Sequence, residues 1–389
     1  MVRIAVFLLI AGAFVAAVVA QQGTDRPGSP LAGITASEFE LFRMGREDFL
    51  EVETAGDGLG PTFNGTSCAQ CHNIPAIGGT GTMIETRAGR LEEDGTFTAP
   101  AGGTLHHLFS TPPHNCQVNI YPDANVIAHR ISMPLFGAGL VEAIPDSTLL
   151  ALSDPDDRDG DGISGRAAVI RDIATGRDRV GRFGWKAQHA TLLAFAADAY
   201  VNEMGITNDL FREEVSADGD PAHLRLCDPA ADPEDVRDPR TGLRGIDNFA
   251  NFLRFLAPPP RGPISIEVER GLEIFRTVGC AACHVPELRT GQSANPVFDR
   301  KPVPLFSDLL LHDIGTGDRI TQGAAEPNEI RTPSLWGLRF RRPLLHDGSA
   351  ATPEEAILRH LGEAMGVRKN YEELSTTDKS ALLAFLRSL

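Results

Sequence analysis

The pentapeptides Cys-Ala-Gln-Cys-His, at residues 68–72, and Cys-Ala-Ala-Cys-His, at residues 280–284, share the pattern Cys-X-X-Cys-His. Two thiolates at this spacing add to the vinyl groups of a porphyrin, and the adjacent histidine becomes the proximal iron ligand. A zinc site would need two further ligands nearby, and a redox dithiol would not need the histidine. The sequence therefore predicts two covalently bound haem c groups. The residues predicted to hold them are Cys68, Cys71 and His72, and Cys280, Cys283 and His284.

The N-terminus reads as an export signal. Arg3 precedes an unbroken apolar run over residues 4–20, which ends in small residues before polar ones. This is the order of regions in a cleaved signal peptide, predicted here as residues 1–20. A membrane anchor is the alternative, at the lower limit of length for a span. Because haem attachment to this motif is completed outside the bacterial cytoplasm, we expect a periplasmic protein with no membrane span after cleavage.

The net charge restricts the possible binding partners, and the cysteine count suggests a disulfide. The formal net charge is −16, which argues against nucleic acid and anionic lipid and permits steering toward a basic electron donor. Of the six cysteines, four belong to the two motifs. The remaining Cys116 and Cys227 predict a disulfide in an oxidising compartment, with two separate buried thiols as the alternative.

A proline-rich segment divides the chain. Residues 257–263, Ala-Pro-Pro-Pro-Arg-Gly-Pro, cannot lie inside a helix and indicate a linker. We therefore predict an N-terminal cytochrome c-like haem domain with insertions at residues 21–256 and a C-terminal one at residues 264–389. Apolar residues at helical spacing before residue 279 predict an N-terminal helix in the second domain. A weaker copy upstream comprises Phe39, Phe42, Arg43, Gly45 and Phe49.

The predicted fold class is mainly α, with two cytochrome c-like haem domains, long loops and little sheet. Residues 190–201 and 379–389 also read as helices with an apolar face. Glycine and proline are abundant, at 39 and 27 residues, so that long loops must pack around the haems. The N-terminal domain is the enlarged one.

Sequence motifs in the C-terminal domain resemble those of the bacterial di-haem cytochrome c peroxidases and of the enzyme that matures methylamine dehydrogenase. They are Arg-Thr-Pro-Ser-Leu at residues 331–335, His-Asp-Gly at residues 346–348 and Glu-Glu-Ala-Ile at residues 354–357. Because of these motifs and several further ones, the chain resembles the di-haem oxidoreductase (DHOR) family over nearly its whole mature length. Those further motifs span residues 58–64, 137–145, 160–166, 181–187 and 308–313.

The resemblance implies ligands for the second haem. In the peroxidases a distal methionine lies fourteen residues after the histidine of the His-Asp-Gly turn, and the same count from His346 reaches His360. We therefore expect axial ligation by His284 and His360, with Met365 as the alternative to His360. His346 is expected beside this haem, orienting a propionate or a water, and His312 is a weaker candidate of the same kind.

The first haem departs from the peroxidase pattern. The displaceable distal histidine of those enzymes would fall on Ala88, so an open iron is permitted. By resemblance, Glu203 is the candidate catalytic acid or base, and Trp185 is the candidate electron relay between the haems, with Trp336 as its competitor. Histidines that could cap the first iron are His106, His107, His114, His129 and His189.

A calcium loop is also predicted. Asp157, Asp159 and Asp161 alternate before a glycine as in calcium-binding loops, although the glutamate that closes an EF-hand is missing. A solvated acidic turn is the alternative reading.

Two classes of function follow. The first is a peroxidase-like oxidoreductase, in which one haem reacts with peroxide or a related oxidant and the other receives electrons from a small periplasmic protein. The second is a pure electron-transfer cytochrome without a substrate site. Covalent modification of a partner protein would share the requirements of the first class.

Overall fold

The computed structural model describes residues 26–112, 116–117, 120–216, 218–228 and 230–389. The predicted signal peptide at residues 1–20 and the candidate ligand His114 lie outside them. Within this part of the chain, helices alternate with short strands. The helices are α1 (Ala36–Leu50), α2 (Cys68–Cys71), α3 (Ala138–Glu142), α4 (Asp146–Leu152), α5 (Leu192–Met204), α6 (Pro221–Cys227), α7 (Gly245–Phe255), α8 (Ile266–Val278), α9 (Pro353–Leu358), α10 (Met365–Glu372) and α11 (Thr376–Ser388).

The strands form small antiparallel ladders. Their bounds are β1 (Thr62–Phe63), β2 (Ile84–Leu91), β3 (Phe97–Thr98), β4 (Leu105–His106), β5 (Phe109–Ser110), β6 (Val126–Ile131), β7 (Val169–Asp172), β8 (Arg177–Val180), β9 (Leu288–Arg289), β10 (Pro302–Val303), β11 (Leu311–His312) and β12 (Ile330–Arg331). The longest strand, β2, pairs with β3, β4 and β6. The prediction of a mainly helical fold with little sheet was thus only partly right, because β2 and its three partners form a four-stranded sheet.

Helix ends follow local capping chemistry. Helix α1 begins after Thr35, whose backbone N–H donates to the Glu38 carboxylate at 2.7 Å in a capping box. Helices α5 and α11, predicted near residues 190–201 and 379–389, are confirmed, and each begins after a residue whose hydroxyl accepts a backbone N–H, Thr191 and Ser375. Helix α8 is followed by its C-cap Gly279, whose φ of 107° is a left-handed conformation that favours glycine.

The same helix crossing occurs twice. In the first half, α1 packs on α7, with Gly45 facing the Asn248 carbonyl and the ring of Phe49 tilted against that of Phe252, with their centres 4.9 Å apart. The two glycines, at residues 45 and 271, are the points of closest approach, because an added Cβ would overlap the facing backbone.

In the second half, α8 packs on α11 in the same manner. Gly271 faces the Ala381 carbonyl, and Phe275 lies 5.2 Å from Phe385. In both crossings the phenylalanine follows the glycine by four residues, and its partner follows the facing carbonyl by four. This repeated geometry supports an origin of the two halves by duplication.

Two hydrophobic cores surround these crossings. The smaller one involves α8 and α11, whereas the larger one is built around α1, α5 and α7. The larger core also takes in Leu288, Leu305, Leu309 and Trp336 from beyond segment 257–263, which itself is not helical. The two halves therefore share buried surface, and the domain division at this segment stays a prediction.

One covalent crosslink and one negative finding complete the fold. Cys116 and Cys227 form a disulfide with their Cα atoms 5.9 Å apart, which confirms the pairing predicted from the sequence. In the described part of the chain, no helix combines the length and the apolar character that crossing a membrane requires.

The glycine crossing predicts a sharp steric effect. Gly45→Ala should destabilise the protein by about 1–3 kcal/mol, because the new methyl group overlaps backbone atoms of α7 and forces the helices apart. Gly366→Ala in α10 is the matched control, since nothing lies within 4 Å of its added Cβ. Alanine favours a helix by up to about 1 kcal/mol over glycine, so the control should not lose stability. Thermal unfolding followed by circular dichroism distinguishes the two, and equal effects would contradict the crossing.

Candidate functional site

Each Cys-X-X-Cys-His motif folds into a single turn. In the first, α2 begins after Ser67, whose hydroxyl accepts the Ala69 N–H at 3.2 Å, and the His72 N–H donates to the Cys68 carbonyl at 3.1 Å. In the second, a 3-10 turn follows Gly279, and the His284 N–H donates to the Cys280 carbonyl at 2.9 Å. Both turns gather two thiols and an imidazole, and the four motif cysteines are free of disulfides.

The two motif histidines are held in the same tautomer by backbone carbonyls. His72 donates from Nδ1 to the Gly79 carbonyl at 2.9 Å, and His284 donates from Nδ1 to the Phe306 carbonyl at 3.1 Å. This leaves the Nε2 lone pair of each ring free for a metal ion. Burial lowers the pKa of both rings, that of His284 to about 4. Neutral imidazole is the form that ligates iron, so the donor set fits a c-type haem at each motif.

Each motif borders its own cavity. The first cavity is lined by Cys68, Cys71 and His72, and by Glu203 from α5. The second cavity is lined by Cys280, Cys283 and His284, and by residues from the segment 330–367. The two cavities are the places where haem groups would lie.

His360 shares the second cavity with His284. Its Nδ1 donates to the Ala356 carbonyl at 2.7 Å, so that Nε2 is free, as in the two motif histidines. Its proximity to His284 is one reason for the lowered pKa of His284, after burial. Met365, the alternative ligand, is 43% exposed and does not line this cavity. The geometry therefore places the histidine, and not the methionine, on the second cavity.

Neighbouring histidines are placed differently. His346 is 4% exposed and lines the second cavity, with its ring centre 6.2 Å from that of Trp185 in an edge-to-face arrangement. Burial lowers the pKa of His346. His312 also borders this cavity, but its two nitrogens contact Asp308 and Glu363, each at 2.9 Å. With both nitrogens occupied, His312 has no free lone pair for iron.

Glu203 is the acidic group of the first cavity. The Asn64 side-chain amide donates to its carboxylate at 2.9 Å. Burial, and then the neighbouring carboxylate of Glu85, raises the pKa of Glu203 to about 7. Arg87, which is ion-paired with Glu85, also lines the cavity and opposes this rise. A carboxyl group with a pKa near neutrality can both accept and return a proton.

The histidines named as candidate caps for the first iron lie outside the lining of the first cavity, as far as the described residues go. None of His106, His107, His129 and His189 lines the first cavity. His107 donates from Nε2 to the Asn202 carbonyl at 2.8 Å, His129 is exposed, and His189 Nε2 lies 3.0 Å from Asp198. Two thioethers that the sequence analysis did not single out, Met83 and Met133, do line it.

Trp185 lines both cavities. Its indole N–H donates to the Ile131 carbonyl at 2.8 Å, while the Ile131 N–H donates to the His346 carbonyl at 2.8 Å. Trp336, the competing candidate, lines neither of these two cavities, and its side chain belongs to the larger core. Of the two tryptophans, Trp185 therefore has the position for a bridge.

Lys186, the residue after Trp185, is wholly buried. Its ammonium group donates to the carbonyls of Glu326, Pro327 and Glu329 at 3.1, 3.0 and 2.7 Å. It also lies 3.0 Å from the Asp318 carboxylate. These contacts tie the Trp185 segment to the C-terminal half of the chain.

The acidic loop is assembled as well. Oxygens of Asp157, Asp159 and Asp161 lie within 4.8 Å of one another. The same carboxylates accept backbone N–H groups of the loop, among them Asp157 from Gly162 at 3.1 Å and Asp161 from Ile163 at 2.8 Å. Because these bonds alone account for the clustering, calcium binding stays a prediction.

Known proteins share parts of this chain. The methylamine utilization protein MauG of Methylophilus methylotrophus is 29% identical over 160 residues, which cover 37% of this chain and 42% of that protein. The cytochrome c551 peroxidase of Nitrosomonas europaea is 29% identical over 119 residues, covering 31% of this chain and 33% of that protein. The chain thus aligns with less than half of the length of either relative.

A solved structure is similar over a longer stretch but more loosely. The diheme peroxidase BthA of Burkholderia thailandensis is 16% identical, with 90% of this chain and 86% of that chain covered and a TM-score of 0.41. A likeness this loose carries no further argument.

The family assignment comes from a family model. The DHOR model, described as di-haem oxidoreductase, matches residues 105–389. This is well over half of the chain and includes the second motif. The match agrees with the resemblance seen in the sequence motifs and with the two cavities, each bordered by a Cys-X-X-Cys-His turn. The chain belongs to the di-haem oxidoreductase family.

Proposed function

We propose that the chain is an exported, periplasmic di-haem oxidoreductase of the peroxidase type. In this proposal, two haem c groups are attached covalently at Cys68 and Cys71 and at Cys280 and Cys283, with His72 and His284 as proximal ligands. Hydrogen peroxide or a related small oxidant is the substrate, and a small periplasmic electron-transfer protein is the donor. The haems supply the redox-active iron needed to reduce peroxide.

One observation carries this function: the first cavity holds an ionisable carboxyl group and no histidine cap among the described residues. Glu203 lines the same cavity as His72, and Asn64 orients its carboxylate. A pKa of about 7 lets Glu203 take a proton from one peroxide oxygen and deliver it to the other, which is the leaving group. A pure electron carrier would have no use for such a group.

The second cavity is proposed to store and relay electrons. His284 and His360 both line this cavity, and each has Nδ1 bound to a backbone carbonyl and Nε2 available as a ligand. Both would hold the iron of a haem bound there, which would then have no open position for substrate. Trp185, which lines both cavities, is the proposed route between them. His346, beside Trp185, is proposed to hold this arrangement in place. The two cavities would thus divide the work between electron supply and peroxide chemistry.

The attachment chemistry is directly testable. Cys71→Ala and Cys283→Ala should each lose one thioether bond and disturb one haem, because each motif holds its own group. Mass spectrometry of the matured wild-type chain should show two haem additions. Cys116→Ala removes a cysteine outside both motifs and should leave the haem count at two. Fewer than two haems on a properly matured wild-type chain would refute the proposal.

The second axial ligand makes a spectroscopic prediction. His360→Gly should convert the second haem from low spin to high spin and let it bind carbon monoxide when reduced, since the Nε2 donor is removed. Met365→Ala, at an exposed position nearby, should leave the spectrum unchanged. Electron paramagnetic resonance of the oxidised protein counts high-spin and low-spin haems. If Met365→Ala changes the spectrum and His360→Gly does not, the ligand assignment is wrong.

The proposed role of Glu203 predicts a pH dependence. The carboxylate must be ionised to accept the first proton, so the rate of reaction with hydrogen peroxide should rise as the pH passes through about 7. Glu203→Gln should abolish this rise and slow the reaction by about 10²–10⁴-fold. Glu213→Gln, at an exposed position, is the control. Stopped-flow absorption of the haems after mixing with peroxide measures both effects.

The outcomes separate the two functional classes. An enzyme of the proposed type shows one high-spin iron and a rapid spectral change with peroxide. If both irons are low-spin in every oxidation state and peroxide changes neither, the chain is an electron carrier and the proposal fails.

A further inference from the structure

Two arginines lie buried beside Trp185. Arg331 and Arg341 are each 5% exposed, and both line the second cavity. The Arg341 guanidinium lies 5.9 Å from the centre of the Trp185 ring. The Arg331 backbone N–H donates to the Trp185 carbonyl at 2.8 Å. The pair therefore stands at the side of the second cavity that faces the first.

Arg331 is hydrogen-bonded but not neutralised. Its side chain donates to the Gly184 carbonyl at 2.8 Å, to its neighbouring Thr332 carbonyl at 3.0 Å and to the Met133 sulfur at 3.1 Å. These acceptors are uncharged. The nearby Asp308 carboxylate is occupied by the Leu310 N–H and by His312, each at 2.9 Å. The positive charge of Arg331 thus remains without a direct counter-charge.

The buried charge of Arg341 is compensated by hydrogen bonds even less than that of Arg331. The Nε of Arg341 is buried and has no hydrogen-bond partner in the described residues. Within the same part of the chain, no carboxylate forms an ion pair with either Arg331 or Arg341. Burial lowers the pKa of each guanidinium to about 10, and for Arg331 the charge of Arg341 adds to this effect. Two adjacent buried cations that form no ion pair are costly, so the cavity calls for a negatively charged occupant.

We propose that Arg331 and Arg341 bind the propionate carboxylates of the second haem, at the side of its cavity that faces Trp185. The inference rests on the proposed function, because it takes the group held at Cys280, Cys283 and His284 to be haem. A haem brings two carboxylates with it, and the planar guanidinium group binds a carboxylate through paired hydrogen bonds. The otherwise largely apolar lining of the cavity suits the porphyrin ring.

The charge pair has a consequence for the redox equilibrium of the second haem. Ferric haem carries one more positive charge than ferrous haem, so a nearby cation favours the reduced state. Removing the cation also leaves a propionate unpaired, which favours the oxidised state. Loss of Arg341 should therefore lower the reduction potential of the second haem and leave the potential of the first less affected.

The test compares Arg341→Leu with Arg342→Leu in the matured di-haem protein. Arg342 is the adjacent residue and is exposed, so this control removes the same formal charge one position away. At the potential where the second haem of the wild type is half reduced, Arg341→Leu should lower its ratio of reduced to oxidised form about tenfold. For one electron this equals about 59 mV. The control should change the ratio less than twofold, and Arg341→Lys should lie between the two. Spectroelectrochemical titration measures each ratio.

Each outcome bears on the proposal. If Arg341→Leu titrates like Arg342→Leu, the proposal is overturned. If the wild-type potential responds to added acetate and Arg341→Leu abolishes the response, a free carboxylate occupies the pair and the proposal also falls. If Arg341→Leu does not fold, Arg341→Gln keeps much of the side chain without its charge and gives the same comparison. A haemochrome assay on the same samples shows two haems when the proposed function holds, whatever the potentials show.

Discussion

Close packing of backbone against backbone at two glycines is the constraint on which this molecule depends. Gly45 and Gly271 let α1 approach α7 and α8 approach α11 so closely that each phenylalanine one turn later reaches its motif histidine. The ring of Phe49 lies 6.2 Å from His72, and that of Phe275 lies 6.4 Å from His284. Any side chain at either glycine would push the two helices apart and move the phenylalanine ring away from the imidazole that packs against it.

The two halves share this helix crossing but differ in the polar residue that lines the cavity beside the motif histidine. The second cavity receives His360, held in the same tautomer as His284 by a backbone carbonyl. The first cavity receives Glu203, held by an amide from Asn64. A nitrogen donor closes a coordination position, whereas a carboxyl group near neutrality serves proton transfer. The division of roles proposed above thus follows from two side chains, within two otherwise similar frames.

The sequence predicted the features that local patterns encode. The two pentapeptides, the disulfide pair and the helices α1, α5, α8 and α11 all follow from spacing or composition. His360 was predicted as a ligand because it lies fourteen residues after His346, the spacing at which the similar peroxidases carry their distal methionine. The partner of Glu203 could not be found in this way, because Asn64 lies 139 residues away and the two meet only through tertiary packing.

Other features resisted prediction for similar reasons. The sheet around β2 depends on pairing with strands that are short and carry weak local signals, so its formation is decided by tertiary contacts. The unpaired charges of Arg331 and Arg341 are visible only once burial and neighbours are known. Sequence alone identifies Arg331 as part of a motif, but it does not reveal that no carboxylate among the described residues forms an ion pair with it.

The contacts of Lys186 determine how the segment next to Trp185 is held in place. Three carbonyls and one carboxylate around its ammonium group form the kind of oxygen-rich shell that often holds a dissociable metal ion. A metal ion has to be captured from the surroundings and is lost to a chelator, but this cation is part of the polypeptide. The segment next to Trp185 is therefore held in a way that depends neither on the supply of a metal ion nor on dilution.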